Sequence, residues 1–494
     1  MAEQADNVAE TTDPLVLLPS EIVLRIIECA ELSSVASLTQ LTRAWHAFID
    51  ETHQDAIYSS PTKAERPLQT KNFDFLSDSL NYNKYYNNLQ SWKDLCKRQT
   101  LLSRGWKRER PITRETTIQI GNDPIWRFRP DFKRRIFLST SQMGGMNVID
   151  MDSGSLLWRL DADKVRPFAH LEYDNGTAVW DREGDAVEIW KTDVEGANLA
   201  KGEFKRVAVL EHDRQTRGFQ LTGNTLCVVS SEKKGYIYDL AGEPTLLREI
   251  DIENGAVGHL DQGEDVVAYS LGDKGYHFFD KASGASLGVL HPKNTTKVYH
   301  IVHPTSQLDC RLGVGSGGRS SDTYPPKFPG RNRTVPLKIQ KGELSIHSLV
   351  DPFYGPELAE DEWGAGMLDG DMFAGVSRAG RVFICSDWRK ALASTAGFEE
   401  VTANLECDSN GTTFDLGGWL AIRSHKVMFE TQDRAYIVGL NDDNTIRTHD
   451  ENPERPSYAY ATSSAAQLAV PVSFMGIYDD CVMATYTVSS SLHR

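Results

Sequence analysis

The sequence predicts an α + β multidomain chain, with a short all-α module near its start and a long all-β module behind it. Two patterns carry this reading. Between Leu18 and Ile49 apolar residues recur at spacings of three and four, the period of one helix face. From Thr116 onward that period disappears, and short β-rich runs alternate with Gly, Asn and Asp turns; such alternation marks an all-β domain. A chain of 494 residues is also longer than one ordinary core supports, so at least two units are expected.

The helical module opens at Leu18-Pro19. Pro19 suits a first helical position, and Glu21 falls near the positive end of the helix dipole. Ile22, Ile26 and Ala30 lie four apart with Val23 and Ile27 beside them, and the helix is expected to end by about Glu31. Ser33-Ser34 offers an N-cap for a second stretch carrying Val35, Leu38, Leu41, Trp45 and Ile49, with a break near Thr42. So small a bundle cannot bury this much apolar surface internally, so part of the stripe is expected to face a partner or another domain.

Leu18-Pro19-x-Glu21-Ile22, followed by Ile26, Leu38, Leu41 and Trp45, resembles the F-box motif, which docks onto the Skp-family adaptor of cullin-based ubiquitin ligases. The resemblance implies an F-box domain over residues 14–60. Its adaptor-binding residues would be Leu18, Pro19, Ile22, Ile26, Leu38, Leu41 and Trp45, some as contacts and some as the core that positions them. Leu32-Ser33-Ser34 departs from the family pattern by lacking the acidic or proline residues often found there.

An acidic tail, 1–13, precedes this module and is expected to be disordered. A polar segment, 61–88, containing NYNKYYNN, reads as a linker. In the segment 89–115 that follows, Leu89, Trp92, Leu95, Cys96, Gln99, Leu102 and Trp106 fall on one face of an amphipathic helix, and a basic stretch ends it at Lys107, Arg108, Arg110 and Arg114. Two tryptophans on one face favour docking onto a domain. F-box proteins with WD-repeat propellers carry a similar W-x-x-L-C helix before the first blade, which implies a rigid joint here.

Within 116–494, similar strands recur: MNVIDMD, AVEIWKTD, GYIYDLA, GYHFFDKA, ELSIHSLV, RVFICSD and AYIVGL. Most follow another apolar strand, such as RIFLST, TAVWD, LCVVS, VVAYS, MFAGVS or VMFE. The commonest spacing is about forty residues, the length of one four-stranded blade. Two units end in the same D-x-x-S-G turn, at Asp150 to Gly154 and Asp280 to Gly284. A WD-repeat-like β-propeller is therefore expected, with about seven blades and six or eight as alternatives, although the usual G-H…W-D signature is absent. The closing segment FMGIYDDCVMATYTV is expected to share a blade with a strand near Thr116 to Ile120.

Chemistry-bearing motifs are sparse. Gly313-x-Gly315-x-x-Gly318 matches a dinucleotide-binding string, but the Pro-rich segment behind it cannot open the required helix. The surrounding basic loop supplies Arg319, Arg331 and Arg333 as candidates for contact with a target protein. His300 and His303, three apart on a strand, point to opposite faces and do not form a metal pair. Seven scattered cysteines without a C-x-x-C pair read as reduced thiols, not as a disulfide framework or a zinc site. Four Asn-x-Ser/Thr sequons, at Asn175, Asn294, Asn332 and Asn410, follow an N-terminus that lacks the pattern of an export signal. Asn175-Gly176 and Asn410-Gly411 read as turns.

The net charge of -16 argues against non-specific attraction to nucleic acid or anionic membranes, and no cofactor or metal is called for. The sequence thus points to a non-catalytic substrate-recognition subunit of an SCF-type (Skp, cullin, F-box) ligase, cytoplasmic and/or nuclear. It would bind a Skp-family adaptor, through that adaptor a cullin scaffold, and an unidentified target protein. The alternatives are a non-proteolytic propeller scaffold that binds the adaptor and, from the D-x-x-S-G-x-x-x-W of Asp150 to Trp158, a propeller enzyme resembling quinone-dependent dehydrogenases.

Overall fold

The computed structural model describes residues 13–64, 72–78, 80–107, 116, 118, 120, 123–182, 186–252, 259–302, 334–344, 362–407, 419–431, 435–462 and 474–485. It divides into two compact units, Met1–Arg108 and Glu109–Arg494. The first is helical and the second is built of β-sheets. Among the described residues no helix is long and apolar enough to cross a membrane.

The first unit begins with α1 (Pro14–Leu17) and α2 (Ser20–Cys29). Asp13 caps α1 by accepting the Leu15 N–H at 3.0 Å, and Pro19 stands at the N-cap of α2, one place before the expected position. The next helix, α3 (Leu32–Leu38), has Glu31 as its N-cap. Ser33 and Ser34 therefore lie inside the first turn and do not cap it. α4 (Arg43–His46) starts at the expected break, with Thr42 Oγ1 accepting the Trp45 N–H at 3.2 Å. A π-helical turn, Ala47–Thr52, leads into α5 (Gln54–Tyr58), and α6 (Trp92–Trp106) follows, capped by Ser91.

These elements share one core: Val23, Ile27, Val35, Trp45, Ile49, Ile57 and Tyr58 pack with Trp92, Leu95 and Cys96 of α6. The segment read as a polar linker also contributes to it. Phe73 and Phe75 lie 4.8 and 6.5 Å from the Trp92 ring, around a 3₁₀ turn at Asp74–Asp78. Aromatic packing of this kind is non-periodic, so a search for helical or strand period passes over it. The buried Lys63 ammonium donates to the Glu28 carbonyl at 2.9 Å and to the Ala30 carbonyl, satisfying groups that the end of α2 leaves open.

In the second unit four antiparallel sheets follow one another, each with its strands in chain order. They are β1 (Ile125–Asp131), β2 (Ile136–Ser141), β3 (Met146–Asp150) and β4 (Leu156–Leu160); β5 (Leu171–Asp174), β6 (Thr177–Asp181), β7 (Ala186–Lys191) and β8 (Lys205–Glu211); β9 (Thr216–Thr222), β10 (Thr225–Ser230), β11 (Lys234–Asp239) and β12 (Thr245–Asp251); and β13 (Leu260–Gln262), β14 (Val266–Ser270), β15 (Tyr276–Asp280) and β16 (Ser286–Leu290). The second strand of each sheet is buried on both faces apart from its ends. That is why IFLST, TAVW, LCVVS and VVAYS read as unbroken apolar runs instead of alternating ones.

A hairpin-like pair comes next, β17 (Val298–Val302) and β18 (Thr334–Gly342). It bridges two further four-stranded meanders: β19 (Trp363–Asp369), β20 (Met372–Ser377), β21 (Val382–Cys385) and β22 (Thr402–Cys407), then β23 (Leu420–Arg423), β24 (Lys426–Glu430), β25 (Ala435–Gly439) and β26 (Tyr458–Thr462). β17 runs parallel to β22, and β18 pairs antiparallel with β26, so the two meanders merge into one ten-stranded sheet. The short helices α7 (Trp388–Ala393) and α8 (Thr395–Val401) sit between β21 and β22. β27 (Phe474–Ile477) and β28 (Val482–Thr485) form a separate two-stranded sheet, without a described partner strand near Thr116. Of the expected strand ELSIHSLV, residues 345–350 lie outside the described residues, and Glu343 and Leu344 are not in a strand.

The first strands of consecutive groups adjoin: β1 and β5, β5 and β9, β9 and β13, β13 and β19, β19 and β23, β23 and β27, and β27 and β1. Each of the first four sheets carries a β-bulge at the equivalent place in its third and fourth strands. The register skips one residue on the outer strand, at Leu157, Val207, Leu247 and Leu287. A bulge bends and twists its strand, and repeating it gives each outer strand the same turn away from its sheet.

The D-x-x-S-G turns show how sequence sets this geometry. Asp150 Oδ1 accepts the Ser153 N–H at 2.7 Å and the Ser153 hydroxyl at 2.9 Å, while Gly154 takes φ +71°. Asp280 and Ser283 repeat both bonds, and Gly284 takes φ +75°. Asn175-Gly176 forms a hairpin turn between β5 and β6 with both φ values positive, as that pair of residues favours.

Candidate docking surfaces

Two surfaces combine exposure with chemistry suited to binding. The first lies on the helical unit. On α2 the apolar residues divide between inside and outside: Val23 and Ile27 are buried, whereas Ile22 and Ile26, four apart, are 48% and 55% exposed. Leu18, just before the helix, is exposed as well, as are Val16 and Leu17 of α1. Past α3, Leu41 is 64% exposed, and it lines a shallow depression of about 390 Å³ with Leu38, Ser33, Ser34 and Ser37.

The seven residues singled out in the sequence therefore fall into two groups. Leu18, Pro19, Ile22, Ile26 and Leu41 are on the surface, Leu38 is half-buried, and Trp45 is buried in the core beneath them. Val16 and Leu17 were missed, although the run Leu15-Val16-Leu17-Leu18 directly precedes Pro19. Leaving this many large apolar side chains in water is unfavourable by roughly 25 cal/mol per Å² of apolar area, which favours covering them. The other candidates, Arg319, Arg331 and Arg333, lie outside the described residues, as do Gly313, Gly315, Gly318 and His303. His300 sits on β17, where its Nε2 is 2.8 Å from the Glu343 carbonyl.

The second surface gathers at the starts of the first strands of the β unit. Trp126 and Arg127 open β1, Phe168 and His170 precede β5, Arg217 lies on β9, His259 precedes β13 and Trp419 precedes β23. The Arg127 guanidinium lies over two indoles, 4.8 Å from the Trp126 ring and 4.2 Å from the Trp419 ring, an arrangement favoured by the ring quadrupoles. Phe168 meets Trp126 edge-on at 5.2 Å. Deeper in, Arg129 bridges to the buried Glu172 at 2.6 Å, and His170 Nε2 reaches the same carboxylate at 2.7 Å.

Electrostatics follow from this packing. Removal of water around Arg127, and then the neighbouring Arg129, push its pKa down to about 9, which still leaves it charged at neutral pH. Burial followed by Arg127 pushes His259 down to about 4. His170 is lowered mainly by burial, against the pull of Glu172. Burial opposes ionisation of Glu172, yet Arg129 and His170 outweigh it and hold the carboxyl below its usual range. Asp261 on β13 accepts the Leu368 N–H of β19 at 2.6 Å, but burial dominates and raises its carboxyl to about 7.

The cysteines Cys29, Cys96, Cys227, Cys385, Cys407 and Cys481 are free thiols, four of them buried. Cys310 lies outside the described residues.

Comparison with protein-family models gives no match, and comparison with curated proteins gives none either. Among solved structures, the computationally designed protein Ika8 aligns with 14% identity and a TM-score of 0.39, covering 75% of this chain and 98% of its own. A chain of a mitotic checkpoint complex aligns with 9% identity and a TM-score of 0.37, covering 68% of this chain and 74% of its own. Likeness at this level assigns neither fold nor function, which leaves the strand pattern and the surfaces themselves.

Proposed function

We propose that this chain is the substrate receptor of an SCF-type ubiquitin ligase, in which the helical unit is an F-box docked on a Skp-family adaptor and the β unit is a seven-bladed propeller holding the target. The observation that carries the first half is the split on α2. Val23 and Ile27 belong to a core completed by Trp45, Ile49 and α6, whereas Ile22, Ile26 and Leu41 are left to solvent. The chain's own described residues already fill that core, so the outer row is surplus to folding and suits an apolar partner surface.

Support for the propeller is the succession of adjoining first strands, which returns from β27 to β1, together with the repeated bulge at Leu157, Val207, Leu247 and Leu287. Six meanders and the β27–β28 pair make seven units around that circuit. The blade count reached from sequence used ELSIHSLV as one unit; here β27 and β28 stand as the seventh.

The mechanism is proximity. With the F-box fixing the receptor to the cullin scaffold and the propeller holding the target, a target lysine meets charged ubiquitin-conjugating enzyme at a raised effective concentration. No side chain of this chain performs bond chemistry in that scheme. The test is affinity capture of the full chain from cells with the proteasome blocked. The natural chain is expected to retain adaptor, cullin and ubiquitinated partners, and Leu18→Ala combined with Ile26→Asp is expected to lose adaptor and cullin together. Adaptor and cullin capture unchanged by that double substitution would overturn the F-box reading, and capture of partners that never become ubiquitinated would favour the scaffold alternative.

A further inference from the structure

The patch at the first-strand starts belongs to the β unit, not to the helical unit read as the adaptor-docking module, and its construction is unusual for this chain. The protein as a whole is strongly acidic, at -16, yet here Arg127 and Arg217 stand together with two histidines. Glu172 is engaged by Arg129 and His170. Phe168, packed against Trp126, is 49% exposed, and Met143, two residues beyond the Ser141 whose carbonyl accepts the Phe168 N–H, is 64% exposed.

Phe168 also has φ +55°, a left-handed conformation that a bulky residue seldom adopts and that persists only where its surroundings impose it. Its backbone N–H donates to the Ser141 carbonyl at 3.3 Å, and its ring rests on Trp126. An aromatic side chain is thus held at the surface at the expense of backbone comfort. Clustered aromatic and arginine residues are the composition of a binding hot spot.

We propose that this patch binds an acidic peptide segment of the target protein, with Phe168 and Met143 taking an apolar side chain and Arg127 and Arg217 pairing with a neighbouring carboxylate. The proposal rests on the reading of the β unit as the target-holding module. Arg127 is positioned for the task because the Trp126 and Trp419 rings fix its plane, and a pre-organised guanidinium pairs with a carboxylate through two parallel hydrogen bonds. Both imidazoles stay neutral at pH 7, since burial lowers them. The attraction therefore comes from the guanidinium groups alone, which matches one or two carboxylates better than a row of dianionic phosphates.

The test is an array of random short synthetic peptides, in unmodified and phosphoserine-containing sets, probed with the purified full chain. Asp or Glu beside Leu, Phe or Trp is the expected enrichment. Arg127→Gln is expected to weaken binding of the best unmodified peptide by about tenfold or more. Phe168→Gly serves as the second variant, because glycine accepts the positive φ and keeps the fold, and a similar loss is expected from it. No enrichment, enrichment of basic peptides, selection of phosphoserine with no preference for Asp or Glu, or binding indifferent to both substitutions would each overturn the proposal. The array contains no adaptor, so its failure leaves F-box docking standing, whereas failed adaptor capture with a positive array would remove the ligase reading and keep the peptide site.

Discussion

Phe168 and Ile26 are both apolar and exposed, but they differ in what holds them there. Ile26 sits on a regular helix with nothing strained about it, so Ile26→Asp is expected to leave thermal stability within about 0.5 kcal/mol of the natural chain, the usual range for surface changes. Phe168 occupies a left-handed backbone position, and Phe168→Gly is expected to be stability-neutral or stabilising by up to about 1 kcal/mol by relieving that strain. Denaturant unfolding of both variants checks the pair, and marked destabilisation by either would mean that its side chain is structural. Trp45, by contrast, is 7% exposed, and Trp45→Ala is expected to cost about 3–5 kcal/mol. Asp261 supplies a pH test. Its folded pKa, raised to about 7 from 3.8, means that the folded state favours the protonated form. Its contribution is complete below about pH 4 and is lost as pH rises toward 7. Asp261→Asn, which keeps an acceptor for the Leu368 N–H, is expected to flatten stability over that window, with an advantage on the order of 2 kcal/mol at neutral pH. A stability difference between the natural chain and the Asp261→Asn variant that is the same at pH 4 and pH 7 would contradict the assignment.

At the scale of elements, the sequence was most readable where one element satisfies itself locally. The D-x-x-S-G turns and the Thr42 cap consist of a side chain bonding its own neighbourhood, and the Asn175-Gly176 turn of two residues that accept positive φ. Gly154 has φ +71° and open space around the position of a Cβ, so Gly154→Ala is expected to cost about 1 kcal/mol through backbone conformation alone; a thermal melt reads this directly, and no change would mean that the turn relaxes freely. Elements defined by distant partners were not readable. Phe73 and Phe75 lie in a stretch without period, and only the Trp92 ring gives them a place. The bridge from β22 through β17 and β18 to β26 joins residues more than a hundred positions apart in sequence. Ser33 and Ser34 look like a cap by residue type, yet the helix starts at Leu32 with Glu31 as its N-cap and no side-chain capping bond.

For the whole molecule, the same distinction separates the two candidate surfaces. The proposed adaptor-docking surface draws on one short segment, Leu18 to Trp45, so its pattern could be read as a motif in the linear sequence. The patch of Trp126, Phe168, Arg217, His259 and Trp419 draws on five stretches of chain, and only the adjoining first strands bring them to one end of the β unit. Charge clusters in sequence around Arg319, Arg331 and Arg333, the other candidates for target contact, which lie outside the described residues. Calorimetric titration of the purified full chain with a purified Skp-family adaptor tests the central claim most directly. The account predicts saturable one-to-one binding that weakens by at least about tenfold when Ile22→Asp and Leu41→Asp are combined, with the melting temperature unchanged. Absence of binding by the natural chain, or equal affinity in the double variant, would contradict it.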